Sequence, residues 1–245
     1  MSVLALQLAG PLQAWGSSAR FARRTTENAP TKSGVIGLLA AAQGLERTAD
    51  LTALTALRFG VRIDQSGTRI RDFQTAHHPD TGQAMPISDR YYLADAVFVA
   101  ALEGPDQLIA QLYAAVRRPH YLPYLGRRSC PPSRPLDLGL HHSTTLEDVL
   151  TAEPWHAAGW HQKQHRHEPA VDLPVLTETR GNDTANSLAA DTLRDQPLSF
   201  DPRHRRYALR TVHHSTVTVT NPHARPVTAR KGVPPHDPTS HLEDA

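Results

Sequence analysis

The chain opens on a short apolar stretch, Val3-Leu4-Ala5-Leu6-Gln7-Leu8, with Gly10 and Pro11 close behind it. A short apolar run that stops at a turn signal is typical of a strand, and a glycine–proline pair is such a signal. The stretch therefore predicts a strand over residues 3–8 that ends in a turn.

A helix is predicted next, behind a polar loop that spans residues 16–30. Its apolar positions recur at helical spacing and form one stripe that begins just after Thr31-Lys32-Ser33. The residues of this stripe are Val35, Leu38, Leu39 and Ala42. The first two elements are therefore a strand and an amphipathic helix.

Three extended segments and a second helix are predicted further along the chain. Residues 57–63 alternate between apolar and polar side chains, which is typical of a half-buried strand with one polar face. Residues 69–75 and 90–102 flank the turn sequence Pro79-Asp80-Thr81-Gly82 and predict a long hairpin. Residues 106–116 carry the apolar stripe of the second helix.

The order of these elements predicts an α+β fold. Strand, helix, strand, strand, helix is most of a βαββαβ, ferredoxin-like unit, and its last strand is expected near residues 136–140. We therefore predict a ferredoxin-like domain over residues 1–150. Beyond it the sequence becomes rich in histidine and proline. We expect a small β-rich C-terminal domain over residues 151–220, with a strand at 205–220, and a mobile tail over 221–245.

The composition restricts the class of protein. The formal net charge of the 245 residues is only +2, so no overall basic field indicates a nucleic-acid partner. Only Lys32, Lys163 and Lys231 of the 26 basic residues are lysines. Arginine suits contacts to phosphates and bases, although GC-rich coding produces the same bias. The one cysteine, Cys130, excludes an internal disulfide and a cysteine-rich zinc site.

The sequence carries no evident targeting or membrane segment. The first 15 residues lack a basic region ahead of their apolar stretch, so they do not resemble a signal peptide. The longest mostly apolar run, residues 34–42, is too short to span a bilayer. We expect a cytoplasmic protein without a membrane partner.

The loop over residues 13–33 is the first candidate site, because it is basic and leads into a helix start. Unpaired N–H groups and the helix dipole favour an anion there, such as an RNA phosphate, and Trp15 is expected to stack on a base. A solvated loop with an ordinary helix cap is the alternative. The candidate residues are Gln13, Trp15, Arg20, Arg23, Arg24, Thr31, Lys32 and Ser33.

Two further segments combine basic residues with rigid or aromatic neighbours. The loop Arg127-Arg128-Ser129-Cys130 follows a glycine and precedes two prolines, so it suits a phosphate contact or serves only as a connector. The hairpin is expected to wedge between RNA bases or to be an ordinary surface hairpin. Its candidate residues are Arg69, Arg71, His77, His78, Arg90, Tyr91 and Tyr92.

Four histidines form a cluster that suggests a metal site. His161 and His165 are four positions apart and would share one face of a helix, with His156 and His167 nearby. No cysteine accompanies them and carboxylates are sparse, so we expect no metal and no other cofactor. No catalytic motif is evident either.

Several ordered motifs resemble one known family. The segments 8–16, 23–26 and 30–34, then Arg71-Asp72-Phe73, 91–95 and 125–132, are similar to the CasD-type subunits of the type I-E CRISPR Cascade complex. The resemblance covers about the first 140 residues. It implies a fold of the RAMP superfamily, in which a ferredoxin-like domain carries a protruding β-hairpin thumb, here at about residues 69–93.

The resemblance also implies a function. Such subunits are not enzymes: they bind the 5′ handle of the CRISPR RNA, cap a ribonucleoprotein complex and serve antiviral defence. The implied partners are the CRISPR RNA, the Cascade backbone subunit, the large subunit and, through the complex, target DNA. The basic loops would hold the handle, and the hairpin would kink the RNA near the guide boundary.

Two alternatives remain open at this point. In a sister branch of the family, the equivalent subunit cuts precursor CRISPR RNA without metal, and His77, His78, Tyr91 or Lys32 would supply acid–base groups here. The second alternative is a metal-binding or structural protein organised by the histidine cluster.

Overall fold

The computed structural model describes residues 1–17, 23–179 and 190–225, which contain eleven strands and five helices. The strands are β1 Ser2–Ala9, β2 Leu12–Gln13, β3 Arg23–Arg24, β4 Arg58–Gln65, β5 Thr68–Gln74, β6 Ser88–Ala94, β7 Val97–Gly104, β8 Asp137–His142, β9 Ala170–Glu178, β10 Ala190–Ser199 and β11 Arg206–Thr220. The helices are α1 Lys32–Ala42, α2 Thr52–Thr55, α3 Asp106–Arg117, α4 Leu146–Ala152 and α5 Gly159–Gln164. The fold is therefore mixed α/β and rich in sheet.

Seven strands form the larger sheet in the order β10-β11-β9-β4-β7-β1-β8. Strand β1 pairs antiparallel with both β7 and β8, and β4 pairs antiparallel with β7. Consequently β1 and β4 run in the same direction with β7 between them, and β7 and β8 do so with β1 between them. Helix α1 lies in the connection from β1 to β4, and α3 lies in that from β7 to β8.

Strand β1 is buried on both faces, because helices cover the sheet from both sides. Leu4, Leu6 and Leu8 belong to the main core with the apolar sides of α1 and α3. Val3 and Ala5 point to the opposite face and pack against α4. The sheet is therefore the middle layer of three, and its two faces use alternate residues of the strand.

Strand β4 contradicts the predicted polar face over residues 57–63. Arg62 lies on that face and is completely buried. A Cβ atom added at Gly60 would come within 3.0 Å of both Leu146 and Leu150, so α4 packs directly on this part of the strand. The alternation of polar and apolar residues was detected correctly, but a helix absent from the sequence prediction covers the polar side.

Arg62 is buried without loss of hydrogen bonds because every side of its guanidinium has an acceptor. It donates to both carboxylate oxygens of Asp64, at 2.8 and 3.0 Å. It also donates to the carbonyls of Leu150, Glu153 and Pro154, at 2.6 to 2.7 Å. Carbonyls at a helix C-terminus lack partners within the helix, so Arg62 satisfies the end of α4 and fixes it to the sheet.

The C-terminal strands continue the same sheet. Residues 60–62 of β4 pair with residues 175–177 of β9, and β11 and β10 follow outward. The strand predicted at 205–220 is confirmed as β11. The division into domains at residue 151 stays a prediction, although both halves contribute strands to one sheet. Residues 226–245 of the predicted tail lie outside the described residues.

The predicted hairpin is confirmed as β5 and β6, which pair antiparallel from Thr68↔Ala94 to Gln74↔Ser88. It belongs to a second, smaller sheet with β2 and β3. The single extended segment predicted over 90–102 is wrong, because the chain breaks between β6 and β7. Asp95 adopts a positive φ of 57° there, and its N–H donates to the carbonyl of Pro11. This break passes the chain from one sheet to the other.

Both helices predicted for the first half are confirmed as α1 and α3. Thr31 is the N-cap of α1, and its hydroxyl accepts a hydrogen bond from the Gly34 N–H. Within residues 1–17, 23–179 and 190–225, no helix is both long and apolar enough to cross a membrane.

Candidate nucleic-acid interface

The smaller sheet presents two faces of different character. Residues directly opposite each other on neighbouring strands project to the same side, so the pairing register assigns each side chain to a face. One face, here called the Tyr91 face, carries Arg23, Arg69, Arg71, Phe73, Asp89 and Tyr91. The other, the Tyr92 face, carries Arg24, Ile70, Asp72, Arg90 and Tyr92.

The Tyr91 face combines arginines with accessible aromatic rings. The guanidinium of Arg23 lies 5.5 Å from the centre of the Tyr91 ring and donates to its hydroxyl at 3.3 Å. Arg71 donates to Asp89 at 2.9 Å, and this hydrogen bond raises the pKa of Arg71 above its ordinary value. Phe73 is 69% exposed. Planar rings beside cations suit the stacking of unpaired bases.

The Tyr92 face gathers three arginines. Arg24 and Arg90 are opposite each other in the parallel pair of β3 and β6. Arg127 comes from a separate loop, donates to the carbonyl of Arg24 at 2.8 Å and places its guanidinium 4.6 Å from the centre of the Tyr92 ring. The Nε of Arg90 and the Nη1 of Arg127 are buried without a hydrogen-bond partner among the described residues. Such donors favour an anionic ligand that supplies acceptors.

The loop that carries Arg127 is closed by its own backbone. The Leu125 N–H donates to the carbonyl of Cys130 at 2.7 Å, and the Cys130 N–H donates to that of Arg127 at 2.9 Å. Leu125 and Cys130 are both completely buried, and the carbonyl of Leu125 accepts from the Ala14 N–H. Buried anchors at both ends therefore hold the arginine in a fixed position against β3.

We expect the Gly126→Ala variant to displace this loop and weaken RNA binding. Gly126 has φ +84°, and a Cβ atom there would lie 1.7 Å from the carbonyl oxygen of Ala14. The backbone conformation and the clash together should cost about 1–3 kcal/mol of folding free energy. Denaturant unfolding and RNA titration of the same preparation would measure both effects.

The matched control is Gly82→Ala in the tip of the hairpin. Gly82 has φ +64°, but nothing lies within 4 Å of the Cβ that alanine would add. This variant therefore reports the cost of the backbone conformation alone. Equal destabilisation by both substitutions would contradict the role assigned to the close contact with Ala14.

The predicted site residues separate into accessible and buried groups. Exposed or half-buried are Arg23, Arg24, Arg71, His77, His78, Arg90, Tyr91, Arg127, Arg128 and Ser129. Buried are Gln13, Trp15, Thr31, Lys32, Ser33 and Cys130. Arg20 lies outside the described residues. The accessible group, apart from His77 and His78 at the hairpin tip, clusters on or beside the smaller sheet.

The predicted stacking of a base on Trp15 is wrong for this structure, because the ring is completely buried. Its indole N–H donates to the side-chain oxygen of Gln13, whose amide nitrogen donates to the carbonyls of Leu8 and Ala96. A Cβ on Gly34 would come within 2.7 Å of the indole. Trp15 and Gln13 therefore support the site from beneath.

The anion site predicted at the start of α1 is already filled by a carboxylate of the protein. The Lys32 N–H donates to Asp195 at 2.8 Å, and the Asp195 carboxylate also accepts from the guanidinium of Arg210 at 2.6 and 2.9 Å. A phosphate at this helix end would have to displace a buried ion pair. The prediction of an RNA contact there is therefore wrong, because the Asp195 side chain of β10 already occupies the helix start.

Lys32 itself is buried and paired with a carboxylate of the protein. Its ammonium donates to both oxygens of Glu178, at 2.9 and 3.0 Å, and its side chain is 2% exposed. Burial lowers the pKa of Lys32 below its ordinary value, while the neighbouring Glu178 carboxylate favours the charged form. Lys32 therefore joins α1 to β9 instead of contacting RNA.

The three other buried candidates, Thr31, Ser33 and Cys130, stabilise the fold around the site. Thr31 caps α1, and the Ser33 hydroxyl lies 3.4 Å from that of Thr31. Cys130 anchors the Arg127 loop, and burial raises the pKa of its thiol. Cys130 helps to hold Arg127 in position. All three residues are too buried to contact RNA directly.

The hairpin tip is polar and exposed. His77 pairs with Ala84 in an isolated bridge, and the His78 N–H donates to the carbonyl of Gln83. His78 Nδ1 lies 4.0 Å from a carboxylate oxygen of Asp80. Both histidines are accessible to a ligand of the hairpin.

Phe73 was not predicted as a contact, whereas Arg69 was predicted as a basic residue of the hairpin. Both lie on the Tyr91 face, because they alternate with Ile70 and Asp72 along β5. The alternation Arg69-Ile70-Arg71-Asp72-Phe73 was the available signal: on a strand, it places two arginines and an aromatic ring on one side.

The histidine cluster is a packing feature in the described structure. Helix α5 brings His161 and His165 together as predicted, with ring centres 5.1 Å apart. His156 lies 2.9 Å from Glu153, and His165 lies 3.1 Å from Glu168. The part of the chain that the structure describes holds no group of three or more His, Cys, Asp or Glu placed to bind a metal. The lack of a cofactor stays a prediction.

Comparison with known proteins identifies the family of the chain. Residues 3–213 match the family model described as CRISPR-associated protein (Cas_Cas5). The chain is 36% identical to the CRISPR system Cascade subunit CasD of Escherichia coli (strain K12), over 71% of this chain and 91% of the relative.

Two solved structures are similar over almost the whole chain. One is a chain of a CRISPR RNA-guided surveillance complex, with TM-score 0.70, 32% identity and coverage of 89% of this chain and 91% of that one. The other is a crystal structure of a Cas protein, with TM-score 0.67, 34% identity and coverage of 91% and 97%.

The chain thus combines a mixed α/β fold and an arginine-rich smaller sheet with similarity to CRISPR proteins in both sequence and structure. The chain belongs to the Cas5 family of CRISPR-associated proteins. The resemblance to CasD-type subunits inferred from its motifs is confirmed.

Proposed function

We propose that the chain is a non-catalytic subunit of a type I-E CRISPR surveillance complex and binds the 5′ handle of the CRISPR RNA in antiviral defence. Its similarity to a Cascade subunit supports membership of such a complex. The observation that carries RNA binding is the arginine group of the Tyr92 face, where two buried guanidinium N–H groups have no protein acceptor among the described residues.

We further propose that the fold is a ferredoxin-like RAMP domain with the β5–β6 hairpin as its thumb. The interleaved units β1-α1-β4 and β7-α3-β8 support this, since they are the split βαβ arrangement of such folds. The hairpin contributes its strands to the smaller sheet, and the chain returns from it to the larger sheet at Asp95.

The two faces suit different parts of an RNA strand. Arg24, Arg90 and Arg127 would hold phosphates and set the register, because guanidinium groups bind phosphate oxygens through paired donors. Tyr91 and Phe73, on the opposite face, would stack on bases splayed from the strand. The hairpin that carries residues of both faces would then impose the kink near the guide boundary.

The proposed protein partners are the backbone subunit and the large subunit of the complex, and target DNA is reached through the assembly. A subunit that binds the 5′ end of the RNA must contact another protein subunit where the guide sequence begins. In this proposal the RNA binds all of these subunits and so determines their sequence along the complex.

A non-catalytic role agrees with the environments of the groups considered for metal-independent cleavage. The Lys32 ammonium is committed to Glu178, so it is not placed to act on RNA. Tyr91 lies beneath the Arg23 guanidinium. His77 and His78 lie at the exposed tip of the hairpin, beyond the paired residues of β5 and β6.

We expect Arg24→Ala and Arg127→Ala each to weaken handle binding by about 1–3 kcal/mol, because each removes a charge-assisted contact. The slope of log Kd against log salt should also fall by about 1 for each phosphate that the variant no longer neutralises. Fluorescence anisotropy with a labelled repeat-derived handle RNA at several salt concentrations would measure both quantities.

Arg117→Ala is the matched control. Arg117 lies on α3, outside the smaller sheet, and like Arg127 it places its guanidinium over a tyrosine ring, at 5.4 Å from the centre of Tyr113. Unchanged affinity in both the Arg24→Ala and the Arg127→Ala variant would remove these two arginines from the site. Gel analysis of the same RNA after metal-free incubation would expose cleavage, which would favour the endoribonuclease hypothesis.

A further inference from the structure

A second surface of the molecule has the properties of a binding groove. A cavity of about 410 Å³ opens between the base of the hairpin, helix α5 and strand β9. A smaller cavity of about 170 Å³ lies beside it, and the two share Gln65, Asp95 and Trp160 in their walls. The two together are called the Trp160 groove below.

Trp160 is exposed while the aromatic groups behind it are packed. Trp160 is 54% exposed, whereas Trp155 is only 5% exposed and donates from its indole N–H to the carbonyl of Asp64. His161 lies edge-on to both tryptophan rings, with ring centres 5.5 and 5.8 Å away. An exposed tryptophan that is supported by buried aromatic side chains is a typical anchor for a protein partner.

The ionisable groups that face the groove favour a cation. Its walls include four carboxylates, from Asp64, Asp95, Glu168 and Asp172. Asp64 is neutralised by Arg62, and Arg134 lies at the far end of the smaller cavity. Three carboxylates therefore face one guanidinium.

Two histidines also line the groove. Burial lowers the pKa of His161 below its ordinary value, and the adjacent His165 acts in the same direction, so the neutral form of His161 is favoured. His165 lies 3.1 Å from a carboxylate oxygen of Glu168.

We propose that the Trp160 groove binds a positively charged segment of another protein, with an arginine or lysine side chain over the Trp160 indole. Tryptophan is the best aromatic partner for a cation, and the surrounding carboxylates complement the charge. The same carboxylates oppose phosphate, so nucleic acid is the disfavoured occupant. The walls of the groove contain none of the arginines of the Tyr91 and Tyr92 faces, and the proposal goes beyond RNA binding.

A titration of the full chain with a blocked arginine peptide tests the proposal directly. The protein has three tryptophans, and Trp15 is buried and outside the groove, so its indole N–H signal serves as an internal reference. With ¹⁵N-labelled tryptophan, acetyl-Gly-Arg-Gly-amide should shift the Trp160 signal at millimolar concentration and leave the Trp15 signal unchanged. A matched peptide with glutamate in place of arginine should have no effect.

The double variant Glu168→Gln/Asp172→Asn should weaken the response to the arginine peptide several-fold and leave handle RNA binding unchanged. No shift of Trp160 with the arginine peptide, or equal shifts with both peptides, would overturn the proposal. A shift produced by a short uridine oligonucleotide but not by the arginine peptide would also overturn it, in favour of a nucleic-acid site.

Photo-crosslinking in the assembled complex gives an independent result. The variant Gln164→p-benzoylphenylalanine, at an exposed position of the groove wall, keeps Trp160 and should crosslink to a protein segment that contains arginine or lysine. The same substitution at Leu198, which is 55% exposed on β10 and outside the groove, is the control. Crosslinks from position 164 to RNA, to an uncharged or acidic segment, or to nothing would contradict the proposal.

Discussion

We expect the Arg62→Met variant to lose about 3–5 kcal/mol of unfolding free energy, the cost of breaking a buried ion pair by removing one partner. Both side chains of the Arg62–Asp64 pair are completely buried. The substitution leaves a buried carboxylate without its cation, and it also removes the donors that satisfy the carbonyls at the end of α4. Chemical denaturation monitored by circular dichroism would measure the loss.

The matched control is Arg71→Met. Arg71 also forms an ion pair with an aspartate, Asp89, but its side chain is 60% exposed. Exposed pairs contribute about 0–1 kcal/mol, so this variant should be nearly as stable as the parent chain. Similar losses in the two variants would mean that burial of Arg62 does not determine its contribution.

The second large effect is expected for Asp195→Ala, again about 3–5 kcal/mol of unfolding free energy. Asp195 is 1% exposed and pairs with Arg210, whose side chain is 6% exposed. It also accepts the Lys32 N–H at the start of α1. Its removal leaves the buried Arg210 guanidinium and the Lys32 N–H without their acceptor, and both losses are costly.

Asp191→Ala is the control for the second variant, since Asp191 lies on the same strand. Its carboxylate lies 3.0 Å from Nε2 of His214, but its side chain is 71% exposed, so its removal should change stability little. Hydrogen exchange adds a local measurement: the first turn of α1 should lose protection in Asp195→Ala and keep it in Asp191→Ala. Unchanged protection in both would contradict the capping role of Asp195.

Local patterns were sufficient to predict the elements of the first half. The apolar stripe of α1 and the cap residue Thr31 are neighbours along the chain, so the helix start could be predicted from sequence. The same holds for the β5–β6 hairpin, whose strands flank a turn sequence. Helix α4 escaped prediction, because it is only seven residues long and its apolar side is defined by what it covers.

The candidate site was predicted less well than the fold. Its arginines were identified correctly as a basic group, but their arrangement depends on a parallel pair between β3 and β6 and on a loop about 100 positions further on. Arg127 contacts Arg24 only because the Arg127 loop is anchored by buried residues. No local pattern contains that information.

The sequence by itself determined the family, the main helices and strands of the first half and the basic character of the accessory hairpin, because these depend on the order and spacing of neighbouring residues. The tertiary structure decided which charges are free. Lys32 is satisfied by Glu178, 146 positions away, and Arg62 by carbonyls about 90 positions away. Charged groups buried in the low-dielectric interior must find partners there, and those partners are set by packing between distant segments.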